Sequence, residues 1–447
     1  MPGAPHQKHG HAYDLEQMRI LITNGRIVDP ASGRDKVGNL LVDGERIVAL
    51  DGDADARSLP GSIDRVIDAR GLVVAPGLID LSARLREPGF EYKATLESEM
   101  DAAVAGGVTS LACPPDTDPP LDEPGLVEML RRRAKAQARA RVYPIGALTV
   151  KLKGEALTEM AELAESGCVA FSQANEPLAD TQVLWRALQY AATFGFPVWM
   201  RAENADLARG GVAHDGEVAT RLGLPGIPAF AETIALGTLL ELARSTGARL
   251  HVCRISTAGA VDLLRKAKLE KLPVSCDVGV HHVHLSEMDL GFFDAQCRLV
   301  PPLRSARDRD ALRAGLADGT IDCVCSDHTP VDDDAKQTPF GEAEPGATGL
   351  ELLLPLVLRW AGEEKLPLAQ ALARVTSASA RVLGIDKGRI APGASADLVI
   401  FDPVAPLRIS AAGLKSQGKN SPFLGYELAG AVRYTLVAGK PVFEAGG

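Results

Sequence analysis

The sequence predicts an α/β fold: a (β/α)₈ barrel of the TIM type, carrying a small β-sandwich domain formed by both termini. Three observations predict it. The chain has 447 residues, 46% hydrophobic and 24% charged, which is enough apolar mass for a large core and the wrong composition for a disordered protein. In its middle, eight apolar strand-like runs alternate with longer helical stretches, the rhythm of a parallel sheet wrapped in helices. At both ends the pattern changes to alternating runs broken by turn dipeptides such as NG and DG.

Residues 1–18 are polar and irregular and predict a mobile tail, with His6, His9 and His11 read as part of that arm rather than a metal site. Over 19–75, RILITNGRIVD, NLLVDGERIVAL and SIDRVIDARG predict short strands of a small antiparallel sheet. The barrel is predicted over 76–385. Its strand runs are LVVAPGLIDLSA, GVTSLACPP, VYPIGALTV, CVAFSQ, PVWMRAEN, RLHVCRIST, LPVSCDVGV and IDCVCSDHTP, the first starting just ahead of the boundary. Helices such as LESEMDAAVAG and AETIALGTLLELARSTG lie between them, with Gly106, Gly167, Gly195 and Gly247 placed to end helices. After a last helical region, LAQALARVTSASARVLG, the segment 386–447 returns to strands and turns and is expected to pair with 19–75 in one domain.

The net charge of −10 and the 4% aromatic content argue against a polyanion-binding surface or a stacking platform for nucleic acid. No apolar run has membrane-spanning length, and the first residues lack the apolar stretch of a secretory signal. Seven scattered cysteines with no CxxC pair predict reduced thiols and a cytoplasmic protein.

In a barrel of this kind, chemistry sits at the C-terminal ends of the strands. Strand 1 leads to Asp80, Ser82, Arg84 and Arg86, which alternate and so are expected to share a face. Strand 2 leads to Asp116, strand 4 to Ser172 and Gln173, strand 5 to Arg201 and Glu203, and strand 6 to Arg254 and Ser256. Strand 7 leads to His281, His282 and His284, and strand 8 to Asp327 and His328. The predicted mouth is rich in arginine, which offers a metal no lone pair. A relocated metal site would need His282 and His284 on one face of an extended strand 7, or Cys323 and Cys325 on strand 8. Core packing is the competing reading for the cysteines.

The segments PGLIDLSARLREPG (76–89), DAAVAGGVTSLACPPDTDP (101–119), TGARLHVCRISTAGAVDLLRKAK (246–268), VPPLRSARDRDALRAGLADGTID (300–322), SDHTP (326–330) and GRIAPGASADLVIFDP (388–403) resemble the dihydroorotases of the amidohydrolase superfamily. The resemblance runs from about residue 19 to the end and implies a zinc hydrolase barrel flanked by a two-ended β domain. Carried over residue by residue, it fails at the metal. The family's two strand 1 histidines fall on Ser82 and Arg84, its strand 4 carboxylate or modified lysine on Gln173, and its strand 5 and strand 6 histidines on Arg201 and Arg254. Only the strand 8 aspartate is kept, as Asp327, and is expected to be vestigial. Of the substrate contacts, Arg86 is kept, while the asparagine of the strand 2 loop becomes Asp116, the histidine after strand 8 becomes Val331 and the asparagine before PPLRS becomes Val300.

The resemblance therefore implies a pseudoenzyme of pyrimidine biosynthesis with no zinc, close to the non-catalytic dihydroorotase-like subunit that assembles with bacterial aspartate transcarbamoylase. It also implies a homodimer. Two alternatives stay open at this point: an active zinc cyclic-amide hydrolase with an unusual site, and an anion sensor using Arg84, Arg201 and Arg254 together with Arg86. The loop 331–346 follows strand 8, and the resemblance implies that it lies near the mouth, with closure, docking and disorder all left open.

Overall fold

A computed structural model describes residues 18–54 and 62–446. The expected tail, with His6, His9 and His11, lies almost wholly outside the described residues.

The eight barrel strands are Leu78–Asp80, Val108–Cys113, Arg141–Ala147, Ala170–Ser172, Val198–Met200, Leu250–Val252, Val274–Gly279 and Cys323–Cys325. Seven of the predicted runs contain a whole strand and the third strand begins one residue ahead of its run, at Arg141; each strand pairs in parallel with the next. The ring closes past the strand ends, where His328 bridges Ala83 in parallel and the Arg84 N–H donates to the His328 carbonyl at 2.9 Å. Side chains alternate between two cores. Ile79, Leu81, Ala112, Ile145, Trp199, Cys323 and Cys325 meet in one cluster, while Leu78, Leu111, Val198, Val252 and Val278 join the larger one shared with the helices.

The helices begin where their caps dictate. Thr95 caps Leu96–Ala105 by accepting from the Ser98 N–H, Asp180 caps Thr181–Phe194, and Thr257 caps Ala258–Leu269. Gly195 and Gly247 end their helices in the left-handed region at φ 72° and 71°, as predicted. At the end of the first helix it is Gly107, at φ 81°, that turns left-handed, because Gly106 still accepts helical geometry at φ −83°. The last helical region is two helices, Leu368–Ala373 and Ser377–Leu383, rather than one.

The first predicted run divides in two. Val73–Pro76 belongs to the terminal sheet and Leu78–Asp80 to the barrel, and Gly77 stands between them where a Cβ would lie 2.2 Å from Thr109. Among the described residues the terminal sheet has eight strands. Arg19–Asp29 pairs with Arg34–Asp43, and Leu398–Arg408 lies antiparallel to both Val73–Pro76 and Glu427–Val437, so both termini share one continuous sheet. Bulges near Asn24 and within Leu398–Arg408 bend it. Ile20, Ile22, Leu40, Val74, Leu398 and Leu436 gather in an apolar cluster of its own. No helix among the described residues is long and apolar enough to cross a membrane.

Candidate functional site: the arginine-filled barrel mouth

The strand ends bring Arg84, Arg201, Arg254, Asp116, Glu203 and Asp327 together, all of them read from the sequence as mouth residues. A buried guanidinium is stable only when its charge and N–H groups are met. Each of the three arginines meets a carboxylate. Arg84 donates from Nε to Asp116 Oδ2 at 2.7 Å and from Nη1 to Thr329 Oγ1 at 3.0 Å, with Asp327 Oδ1 3.5 Å away. Arg254 donates from Nη1 to Asp327 Oδ1 at 3.0 Å and from Nη2 to Asn175 Oδ1 at 2.7 Å. Arg201 grips Glu203 with both terminal nitrogens, at 2.6 and 2.7 Å, and donates to the Asn175 carbonyl at 2.8 Å.

The three arginine charges are thus balanced by Asp116, Glu203 and Asp327. Burial alone would raise the Asp116 carboxyl, but Arg84 beside it, helped by Arg86 and Arg254, holds it below its usual value. Glu203 is likewise desolvated and held down by Arg201. Burial disfavours the Arg254 cation, and Asp327 reverses this and raises its pKa. Two donors of these arginines, Arg84 Nη2 and Arg201 Nε, are buried without an acceptor among the described residues. The space left between Ser82, Arg84, Cys253, Arg254 and Trp199 is about 20 Å³, room for one water and far below a metabolite.

Asp80, Ser82, Arg84 and Arg86 do not form one row, a correction to the alternation expected of them. The strand ends at Asp80, which turns to accept from the Ser326 N–H at 2.7 Å, and burial pushes its carboxyl up to about 6. Ser82 contributes its carbonyl to the His328 N–H at 3.1 Å. Arg86 takes a left-handed φ of 64° and donates to the Pro330 carbonyl at 2.8 Å. Gln173 is turned away from the mouth, its Oε1 accepting from Thr149 Oγ1 at 2.9 Å and its Nε2 donating to the Leu152 carbonyl at 2.7 Å. Val300 offers its carbonyl to Arg254, and Val331 is buried with its N–H on Asn420 Oδ1 at 3.1 Å.

These residues do not fit a zinc ion. Asp327 is one carboxylate ligand already shared by two arginines, and a guanidinium has nothing to donate to a metal. The relocated site fails as well. Val280–His284 is helical, so His282 and His284 do not share a strand face. His282 Nε2 donates to the Pro301 carbonyl at 3.0 Å and His284 Nε2 to the Leu356 carbonyl at 2.9 Å. Burial lowers His281, His282 and His284 to about 4, which keeps all three neutral. Cys323 and Cys325 are buried in the barrel interior, as the packing reading expects.

Two buried clusters escaped the sequence reading. Below the mouth, His251, Cys253 and Asp277 bring ligand-type atoms within 4.8 Å of one another. His251 is already held by Asp277 Oδ2 at 2.9 Å and Ser275 Oγ at 2.8 Å, and Asp277 Oδ1 also accepts from the Arg254 N–H at 2.6 Å. This is a satisfied network supporting the arginine above it. Glu99, on the first barrel helix, accepts from His328 Nε2, from Ser416 Oγ at 2.7 Å and from the Gln417 N–H at 2.9 Å. It ties strand 8 to the C-terminal segment. The i, i+2 spacing of His251 and Cys253 was the available signal for the first cluster; Glu99 had none.

The 331–346 loop is packed against the barrel. Buried Lys336 donates from Nζ to the Ala295 carbonyl at 3.0 Å, Phe340 is buried, and Glu344 pairs with Lys93 at 2.5 Å. Asn420 Nδ2 fixes both ends, donating to the carbonyls of Thr329 and Gly346 at 3.0 Å each.

A family model described as dihydro-orotase-like matches residues 71–260. A protein of Pseudomonas putida named dihydroorotase-like protein is 45% identical over 422 residues, which is 94% of this chain and 98% of that one. A dihydroorotase of Geobacter sp. (strain M21) is 40% identical, covering 96% of this chain and all of its own length. Among solved structures, the L-hydantoinase (dihydropyrimidinase) of Arthrobacter aurescens superposes with a TM-score of 0.85 at 25% identity over 96% of each chain.

Proposed function

The chain belongs to the dihydroorotase-like family, and from that premise we propose that it is a pseudoenzyme of pyrimidine biosynthesis, a structural and assembly partner of the aspartate transcarbamoylase catalytic chain. The observation that carries the first half is the barrel mouth. Arg84, Arg201 and Arg254 stand among Asp116, Glu203 and Asp327 as paired charges, with about 20 Å³ left open. A hydrolase of this family's kind needs a metal to make hydroxide near neutral pH. Here fixed cations fill the space that a metal would need. The carboxylates do for the arginines what a substrate anion would otherwise do, so the anion-sensor reading of this mouth loses its free cations.

The second half rests on the family resemblance. A protein that keeps the whole barrel while its reactive positions become structural has its surface left to act with. We read it as a cytoplasmic homodimer in that assembly. The test is size-exclusion chromatography with light scattering on this protein and the aspartate transcarbamoylase chain of the same organism. A new stoichiometric peak is expected, and two unshifted peaks refute the partnership. Zinc content and turnover of dihydroorotate test the first half separately. Stoichiometric zinc with hydrolysis would restore the active-enzyme reading.

A further inference from the structure

The carboxylates of the mouth do not satisfy every donor around them. Arg84 Nη2 and the indole Nε1 of Trp199 are buried with no acceptor among the described residues, and both residues are more than nine-tenths buried. Native interiors rarely leave an N–H bare, so each of these groups calls for an acceptor. Arg84 and Trp199 line the same void, the space of about 20 Å³ left at the mouth. A second guanidinium, that of Arg254, reaches the same wall, together with Ser82 and Ser172. The Ser172 hydroxyl oxygen accepts from the Ala174 N–H at 3.0 Å, which leaves its proton to donate. Burial pushes the Cys253 thiol well above its usual value, so this neighbour stays neutral. No carboxylate is among the described residues that line the void; Asp116 and Asp327 meet the arginines outside its wall. The wall is otherwise apolar, as at Ile145 and Ala174. Its size excludes a carboxylate metabolite, a phosphate or a sulfate, and admits one water or one single-atom ion. A water must also donate its own two protons, and a wall of cations and N–H groups gives it few acceptors. A monatomic anion needs donors alone and tolerates apolar contact.

We propose that this void is a halide site, holding chloride as a structural ion that accepts from Arg84 and Trp199 beside the Arg254 cation. Charge-assisted hydrogen bonds in a dry interior supply the affinity, and the volume supplies the selectivity against larger anions. The ion takes up donors that Asp116 and Asp327 leave over, so it completes the layer of paired charges and does not compete with it. This inference does not depend on the assembly reading, since the protein would hold the ion with or without a partner chain.

The test has two arms, both on the full chain. Crystals grown in sodium bromide are expected to show an anomalous peak between Arg84, Trp199 and Arg254. The melting temperature is then followed against sodium chloride, with sodium gluconate at matched ionic strength as the control. A saturable rise in chloride and bromide, absent in gluconate, is expected. In Trp199→Phe, which removes one donor, the halide concentration at half-effect should rise roughly tenfold. Ser172→Ala, a smaller change that removes a hydroxyl donor, serves if Trp199→Phe does not fold, and should weaken the response in the same direction. No bromide peak, equal melting in chloride and gluconate, or a wild-type halide response in the variants overturns the site. A bromide peak without any halide-dependent stability marks an adventitious ion only and overturns the structural role.

Discussion

Both ends of this barrel gather arginine, and they use it in opposite ways. At the mouth Arg84, Arg201 and Arg254 are buried, paired with carboxylates and packed around about 20 Å³. At the far end Arg132, Lys135 and Lys440 line a cleft of about 670 Å³ and have no carboxylate partner among the described residues. The positive charge is shared. The partner and the space decide whether a cation is part of the core or of the surface. A buried arginine whose carboxylate is removed costs several kcal/mol, whereas an exposed one is nearly free to change.

Acid provides the broadest test of the difference. His281, His282 and His284 lie at the mouth end, held at about 4 by burial. The unfolded chain binds their protons from about pH 6.5 downward and the folded chain does not. Stability is therefore full above about pH 6.5 and is lost as pH falls toward 4, by roughly 3 kcal/mol for each histidine at the acid limit. Asp80, raised to about 6, has the opposite sign. It adds stability below about pH 3.8 that is lost as pH rises to 6. One carboxyl does not offset three histidines, so denaturant midpoints should fall between pH 6.5 and 4. A flat profile across that window would contradict the burial.

Asp327→Ala leaves Arg254 without its carboxylate and Arg84 with one fewer. A loss of about 3–5 kcal/mol in denaturant unfolding is expected. Adding Arg254→Met should recover part of that loss, and additive costs would show that the pair is not coupled. Glu99→Gln weakens three buried hydrogen bonds to His328, Ser416 and Gln417 and is expected to cost about 1–3 kcal/mol in the same measurement. The smallest effect belongs to the far cleft. Arg132→Ala should change stability by less than about 0.5 kcal/mol. A loss like that of Asp327→Ala would erase the contrast between the two ends.

Much of the architecture was legible because its signals are local. The eight barrel strands lie on runs visible as apolar stretches, to within one residue, and Gly195 and Gly247 end helices where the sequence placed them. The mouth residues were legible too, since a strand end fixes where its next residues go. Extrapolation failed where a strand stopped early. Arg86 left the row because the strand ended at Asp80, and His282 and His284 parted because the chain turned helical at Val280.

The sequence by itself determined the element order, the pairing of fold type with strand and helix rhythm, and the arginines at the ends of strands 1, 5 and 6. The tertiary structure alone decided what those arginines do. Arg254 meets Asp327 across 73 positions and Arg84 meets Thr329 across 245. Periodicity records which face a residue takes and says nothing of which distant charge arrives opposite it. That depends on how the sheets close, and closure is a property of the whole chain.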